Sequence, residues 1–422
     1  MFILSYMKGN FVNLSRLDKG LGNIGFFLLY PAFFFYHVFL ALDFLPDFLV
    51  VVLKGFYGPV SVLLLVLYFF RFTLGNKGNS FSYNLVDKLF FLYVAWAGVW
   101  VLWNLYSLTE WYVFDASVQI LKSIVLQTVN FFIGLLLFVK FKDRSFYMLY
   151  FFWFFMVLFT LSNVHPETLT LHNTLSAKFI EGVASYQGLS RSLMLVSLLL
   201  ISLIHCNYTR LIITFLSATA LFFIGARSEL VGFLLGVGAF ELVVASIDRR
   251  YAFFLLGLSF LLILGGGYYL QDILVSLDGS RMLNMLSLSS DASWNSRSAY
   301  TLYAIETILN EPLWGGYGSH FLVGALDGGA YSHSLLSAWV ALGLPGMLLI
   351  TVLVVFCALQ AFKNVLKSKR KEPIWCFALL LGAAIVPQIL FVKSAFTIWF
   401  PLFFGVVAQA IRYEYLNRQS EV

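Results

Sequence analysis

Apolar runs recur from about residue 23 to residue 412, each close to the roughly 20 residues that carry a helix across a bilayer. They are continuously apolar rather than alternating with a period of two, so they predict helices and not the strands of an outer-membrane barrel. The runs place about twelve spans, near 23–42, 49–71, 88–108, 118–139, 145–162, 190–206, 209–225, 229–247, 251–270, 345–363, 374–391 and 394–412. Two long segments between spans, 163–189 and 271–344, show no linker that would mark an independent domain, so residues 1–422 read as one polytopic domain. In the second segment, "SAYTLYAIETILNEPLWGGYG" sets Tyr300, Tyr303, Ala304 and Ile308 at spacings of three and four. That spacing predicts a helix ending before Pro312 and the glycines, and hence a helical cap between the ninth and tenth spans. No internal repeat is visible, so an inverted-repeat transporter finds no support.

Composition agrees with the pattern: the 422 residues are 60% hydrophobic and 11% charged, with a mean hydropathy of +0.86. Those values lie outside the range of a soluble domain and define an all-α integral membrane protein. Cys206, Cys357 and Cys376 fall in or beside apolar runs without a CxxC or Cys/His spacing, which implies neither a disulfide nor a zinc site. The opening residues, with Lys8, Arg16 and Lys19, lack a cleavable signal pattern and read as a cytoplasmic tail. A pI near 9.0 raises the question of nucleic acid, but the basic residues are dispersed over short loops, as membrane topology requires.

With the N-terminus inside, the loops expected on the cytoplasmic side carry most of the 27 Lys and Arg, which favours an even number of spans and both termini in the cytoplasm. Lys54, Lys122, Lys178, Arg191, Arg227, Arg281, Arg297 and Lys393 break that bias. Each is expected outside or in the outward half of the membrane, where a charge needs a reason other than orientation. Together they suggest a cationic site facing away from the cytoplasm.

Arg227, in "FFIGARSELVGFLLG", has almost no loop to hold it in water. It fits either an interfacial arginine that snorkels to the headgroups, with Glu229 as its candidate partner, or a planar clamp for phosphate oxygens. Arg297, at the start of the cap helix, and Arg191, at the outward end of a span, carry the same two readings; Arg281 reads as an ordinary loop charge. His333, in "YSHSLLSAWVALGLPG", ends a polar loop just before an apolar helix. It fits an interfacial histidine, or a neutral imidazole that takes the proton of an attacking sugar hydroxyl. His320 is a second candidate base, whereas His37, His165, His172 and His205 lack such a setting. Trp294, Trp314 and Tyr317 are placed either to stack on sugar rings or simply to pack. With no DxD pair, HExxH or Walker loop, the chain implies no metal, cofactor or nucleotide site.

These residues resemble the bacterial O-antigen polymerase and O-antigen ligase superfamily of polytopic membrane glycosyltransferases. "ARSELVGFLLG" is similar to the family's Ser/Thr-Arg element opening a span, with Ala226 in place of the Ser or Thr. "SRSAYTLYAIETILNEPLWGGYG" is similar to its Arg followed by a helix, Pro and glycines, and "HSLLSAWVALGLPG" to its His-Asn/Ser element ending in Gly-x-x-Gly, here one residue shorter. The resemblance covers about 180–350 by motif and the whole chain by span pattern. It implies a GT-C-like bundle in the bacterial inner membrane with a periplasmic active site and no metal or cofactor. It further implies a glycan donor on undecaprenyl diphosphate, held by Arg191, Arg227 and Arg297, with His333 acting on the acceptor hydroxyl and inversion at the anomeric carbon. Trp294, Tyr317 and His320 become the candidate sugar contacts.

"YQGLSR", with Arg191, tilts the resemblance toward a polymerase, whose acceptor is a second lipid-linked repeat unit, over a ligase, whose acceptor is lipid A–core. The expected partners are these lipid-linked glycans, membrane lipid and a chain-length regulator, with no nucleic acid. A flippase for lipid-linked oligosaccharides is the reading from another class, and it requires cations such as Lys54 and Lys122 along a central path.

Overall fold

The computed structural model describes residues 16–42, 44–46, 56–74, 84–107, 110–140, 142–165, 171, 186–257, 260, 292–323, 334–368 and 372–420. Among these there is no β-strand, and the regular elements are helices. They are α1 Arg16–Phe27, α2 Phe33–Ala41, α3 Tyr57–Leu74, α4 Leu85–Tyr106, α5 Trp111–Leu136, α6 Arg144–Ser162 and α7 Tyr186–Leu203. There follow α8 Asn207–Ile224, α9 Arg227–Ile247, α10 Ala292–Asn310, α11 His320–Val323, α12 Leu336–Ser368, α13 Pro373–Phe391 and α14 Phe400–Ser420. A π-helical turn, Leu28–Ala32, joins α1 to α2 around Pro31, which has no N–H to give to the helical ladder.

Among the described residues, 9 helices are long and apolar enough to cross a membrane. The chain is therefore an α-helical, multi-pass membrane protein. Tyr57–Arg71 is apolar but short. The expected span at 394–412 begins instead at Phe400, and its helix carries Arg412, Glu414 and Arg418 toward its end. Of the span expected at 251–270, only 251–257 and 260 lie within the described residues.

α7 is the central helix, buried along most of its length and packed against α2, α6, α8, α9 and α13. α5 and α14 cross so closely that a Cβ on Gly405 would lie 2.1 Å from the Phe131 carbonyl oxygen, and one on Gly134 would lie 2.3 Å from the Leu402 carbonyl oxygen. Small residues at such crossings let two backbones meet where lipid offers no hydrophobic driving force. Gly405→Leu is expected to destabilise the bundle by about 1–3 kcal/mol through overpacking, read as a lower thermal-unfolding midpoint in detergent. Gly238→Leu, at a position open to its surroundings, serves as the unaffected comparison.

Ion pairs lock one end of the bundle. Asp18 bonds Arg71 (2.6 Å), Asp87 bonds Arg412 (2.5 Å) and Lys367 bonds Glu414 (2.8 Å), while buried Arg210 is held by Glu241. Asp87 also closes a capping box with Asn84 at the start of α4.

Helix α10 forms where its spacing predicts, ending at Asn310 ahead of Pro312. Its following turn is pinned by the "GLPG" element. α12 begins at Leu336, earlier than the expected 345, and contains a break at Gly343, whose φ of 68° suits glycine. In that break the Leu344 N–H donates to the Leu313 carbonyl (2.9 Å), and Trp339 Nε1 donates to the Pro312 carbonyl (2.7 Å). Trp96, Trp100 and Trp314 stack alongside, with ring centroids 5.9 and 5.3 Å apart.

Candidate functional site

The end of the bundle opposite the ion-pair lock carries four of the charges that sequence set apart: Arg191, Arg227, Arg297 and Lys393. α9 opens there with Arg227, and two residues on Glu229 is fully buried. Residues two apart do not share a helix face, and the Glu229 carboxylate points to the 392–399 linker instead of toward Arg227. Its Oε1 lies 3.0 Å from Lys393 Nζ, and its Oε2 accepts from Ser228 Oγ at 2.7 Å. The expected Arg227–Glu229 pairing is thus replaced by Lys393–Glu229, bridging α9 and the segment after α13.

Gly232 and Gly236 explain why this pairing is reachable. A Cβ on Gly232 would lie 2.0 Å from Gln388 Nε2, and one on Gly236 would lie 2.7 Å from the Leu380 carbonyl oxygen, so α9 and α13 are in backbone-close contact. That contact delivers Lys393, just past the end of α13, to Glu229. Burial holds the Lys393 ammonium below its usual pKa, opposed by Glu229 and reinforced by the neighbouring positive charges of Arg191 and Arg297. Arg191 on α7 and Arg297 on α10 are therefore both within electrostatic reach of the same lysine.

Arg191 is the least satisfied of these groups. Its Nε is buried without a hydrogen-bond partner, and its guanidinium sits 5.9 Å from the ring centroid of buried Trp399. It is also within electrostatic reach of Glu229 and of Tyr30 and Tyr57. The two tyrosine hydroxyls converge on the Asn130 side chain, Tyr57 at 3.2 Å. Along α7, the buried hydroxyls of Ser190, Ser192 and Ser197 likewise have no partner. A guanidinium nitrogen and several hydroxyls that are buried without partners among the described residues are costly unless something occupies them.

The linker that carries Lys393 is fastened on both sides. The Ala395 N–H donates to Ser337 Oγ (2.9 Å), and the Ala395 carbonyl accepts from Gln127 Nε2 (2.9 Å). Ser337 lies in the first turn of α12, four residues past His333 in sequence. His333 itself lies outside the described residues, as do Lys54, Lys178 and Arg281.

The remaining candidates go elsewhere. The Tyr317 hydroxyl lies 2.8 Å from Ser117 Oγ on α5, and burial pushes its pKa up to about 12. His320 Nε2 faces Gln119 Oε1 at 3.4 Å, and desolvation lowers its pKa to about 4, so the ring is neutral near pH 7 but a weak base. Both residues fasten the segment after α10 to α5. Trp294 lies in the first turn of α10. Lys122 is exposed on α5 rather than lining an internal path. Among the described residues no group of three or more His, Cys, Asp or Glu is placed to hold a metal ion.

Sequence reasoning grouped Lys393 with the unexplained outward charges but did not single it out for the site. Its signal was a lysine in a short apolar linker between two spans. No family model, curated protein or solved structure matches the chain.

Proposed function

We propose that this protein is a membrane glycosyltransferase of the O-antigen polymerase type, joining glycan repeat units carried on undecaprenyl diphosphate. The observation that supports it best is the buried Glu229 carboxylate paired with Lys393 and within electrostatic reach of Arg191, with Arg297 acting on the same lysine and the buried Arg191 Nε without a partner among the described residues. Such a cluster suits a diphosphate, whose negative charge grows as the sugar–phosphate bond breaks. Arg227 stands at the mouth of the same helix end and joins the clamp. The neighbouring start of α12 carries the chain toward His333, which takes the role of orienting or deprotonating the acceptor hydroxyl. In this reading twelve helices span the bacterial inner membrane, both termini face the cytoplasm, and the α10–α11 cap covers a periplasmic site that uses no metal.

The test is to incubate the purified protein in liposomes with the lipid-linked repeat unit alone and look for a ladder of longer glycans. A ladder that Arg227→Ala and His333→Ala both lose supports the polymerase and its two-part site. Product that forms only with lipid A–core makes it a ligase. Absence of product with either acceptor overturns the glycosyltransferase and returns a lipid-linked oligosaccharide transporter as the better reading.

A further inference from the structure

Glu229 is a carboxylate placed among the cations of a site read as taking an anion. It is fully buried, held by Lys393 and Ser228, and lies within reach of the Arg191 charge. Both of its oxygens are already engaged, so it is set to exchange partners rather than to accept a proton. Lys393 is suited to such an exchange, because an ammonium is a point charge that turns readily from one oxygen to another. Arg191, by contrast, has a buried nitrogen with nothing bound to it, so the site is only partly neutralised while Glu229 is its sole visible counter-charge among the groups described around Lys393.

Resting on the diphosphate reading above, we infer that Glu229 is a resident counter-ion, which occupies Lys393 while the site is empty and yields it to the diphosphate when the substrate binds. Two consequences follow. The resident carboxylate keeps a buried lysine from standing as an uncompensated charge. It also sets a threshold: an anion must offer more to Lys393 and Arg191 together than Glu229 offers to Lys393 alone. A diphosphate, which presents oxygens from two linked phosphoryl groups, meets that threshold better than a single phosphate does. Glu229 is thereby a specificity-determining residue, and it discriminates through competition rather than through direct contact with substrate.

The experiment measures binding of inorganic pyrophosphate and of inorganic phosphate to the full-length protein in nanodiscs by calorimetry, for wild type, Glu229→Gln, Glu229→Asp and Arg191→Ala. Glu229→Gln is expected to bind pyrophosphate at least about tenfold more tightly than wild type, the scale of a close charge pair, and to lose much of the preference over phosphate. Glu229→Asp, which keeps the charge, is expected to stay near wild type. Equal or weaker pyrophosphate binding by Glu229→Gln overturns the counter-ion, and so does a gain of the same size in Glu229→Asp. If wild type binds pyrophosphate, Arg191→Ala abolishes binding and Glu229→Gln changes nothing, the counter-ion fails while the cationic site stands. If neither wild type nor Glu229→Gln binds, both fail. Wild-type protein supplies a measurement that needs no variant: with ¹³C-labelled glutamate, pyrophosphate is expected to shift a carboxylate band in the infrared difference spectrum. An unchanged carboxylate region overturns the inference.

Discussion

Arg191→Ala is expected to lower the rate of glycan joining by about a hundredfold to a thousandfold, the usual consequence of removing one preorganised group that stabilises transition-state charge. The same substitution is expected to leave the thermal-unfolding midpoint nearly unchanged. The two expectations come from one fact: among the described residues Arg191 has no ion pair, and its buried Nε has no hydrogen-bond partner. Deleting this charge removes its contact with Trp399, worth about 0.5–1 kcal/mol for a cation over a ring, and its attraction to Glu229, which Lys393 continues to hold. It also removes the cost of burying an unsatisfied donor, which offsets that loss. Arg191→Lys is expected to recover part of the rate, since a lysine restores charge without the planar fork. An Arg191→Ala protein that joins glycans at the wild-type rate would remove Arg191 from the site. One that unfolds at much lower temperature would make Arg191 a structural residue, and its loss of rate uninformative.

The helices were legible because each is built from a local pattern. The end of α10 at Asn310 follows from Pro312 and the glycines after it, and the start of α13 from Pro373. Boundaries failed where a local signal had two meanings. "GLPG" reads as the place where a span begins, yet the helix runs through it from Leu336 to Ser368, broken at Gly343, because the break seats the turn after α10. The site was half legible. Charge against the topological bias set eight cations apart, Arg191, Arg227, Arg297 and Lys393 among them, since a cation in the wrong half of a membrane must be held by something, but it did not choose Lys393 from the eight. The partner of Glu229 was not legible. Arg227 is its neighbour along the chain, but helix geometry turns the two apart, and the lysine that bonds Glu229 lies 164 residues away. Only the glycine-lined contact of α9 with α13 brings them together, and no spacing within either helix encodes which lysine arrives.

The opposite end of the bundle carries the largest expected effect on stability, in Glu241→Ala. Arg210 is completely buried, and its Nε and Nη2 donate to the two oxygens of Glu241 at 2.5 and 2.7 Å. The Tyr251 hydroxyl donates to the same carboxylate at 2.8 Å, and the guanidinium lies 5.4 and 5.6 Å from the ring centroids of Phe240 and Tyr251. Removing Glu241 leaves a guanidinium charged in an apolar enclosure, a loss of about 3–5 kcal/mol for a broken buried pair. The expected readout is a large fall in the unfolding midpoint or in the yield of monodisperse protein. The double replacement Arg210→Met with Glu241→Leu is expected to recover most of that loss, because two apolar side chains neither need pairing nor pay to leave water. A double variant no better than Glu241→Ala would mean that the pair fixes how α8 packs on α9, rather than merely neutralising itself. That outcome would place it in a different role from Lys393–Glu229, where an anion is expected to break the pair as part of normal function.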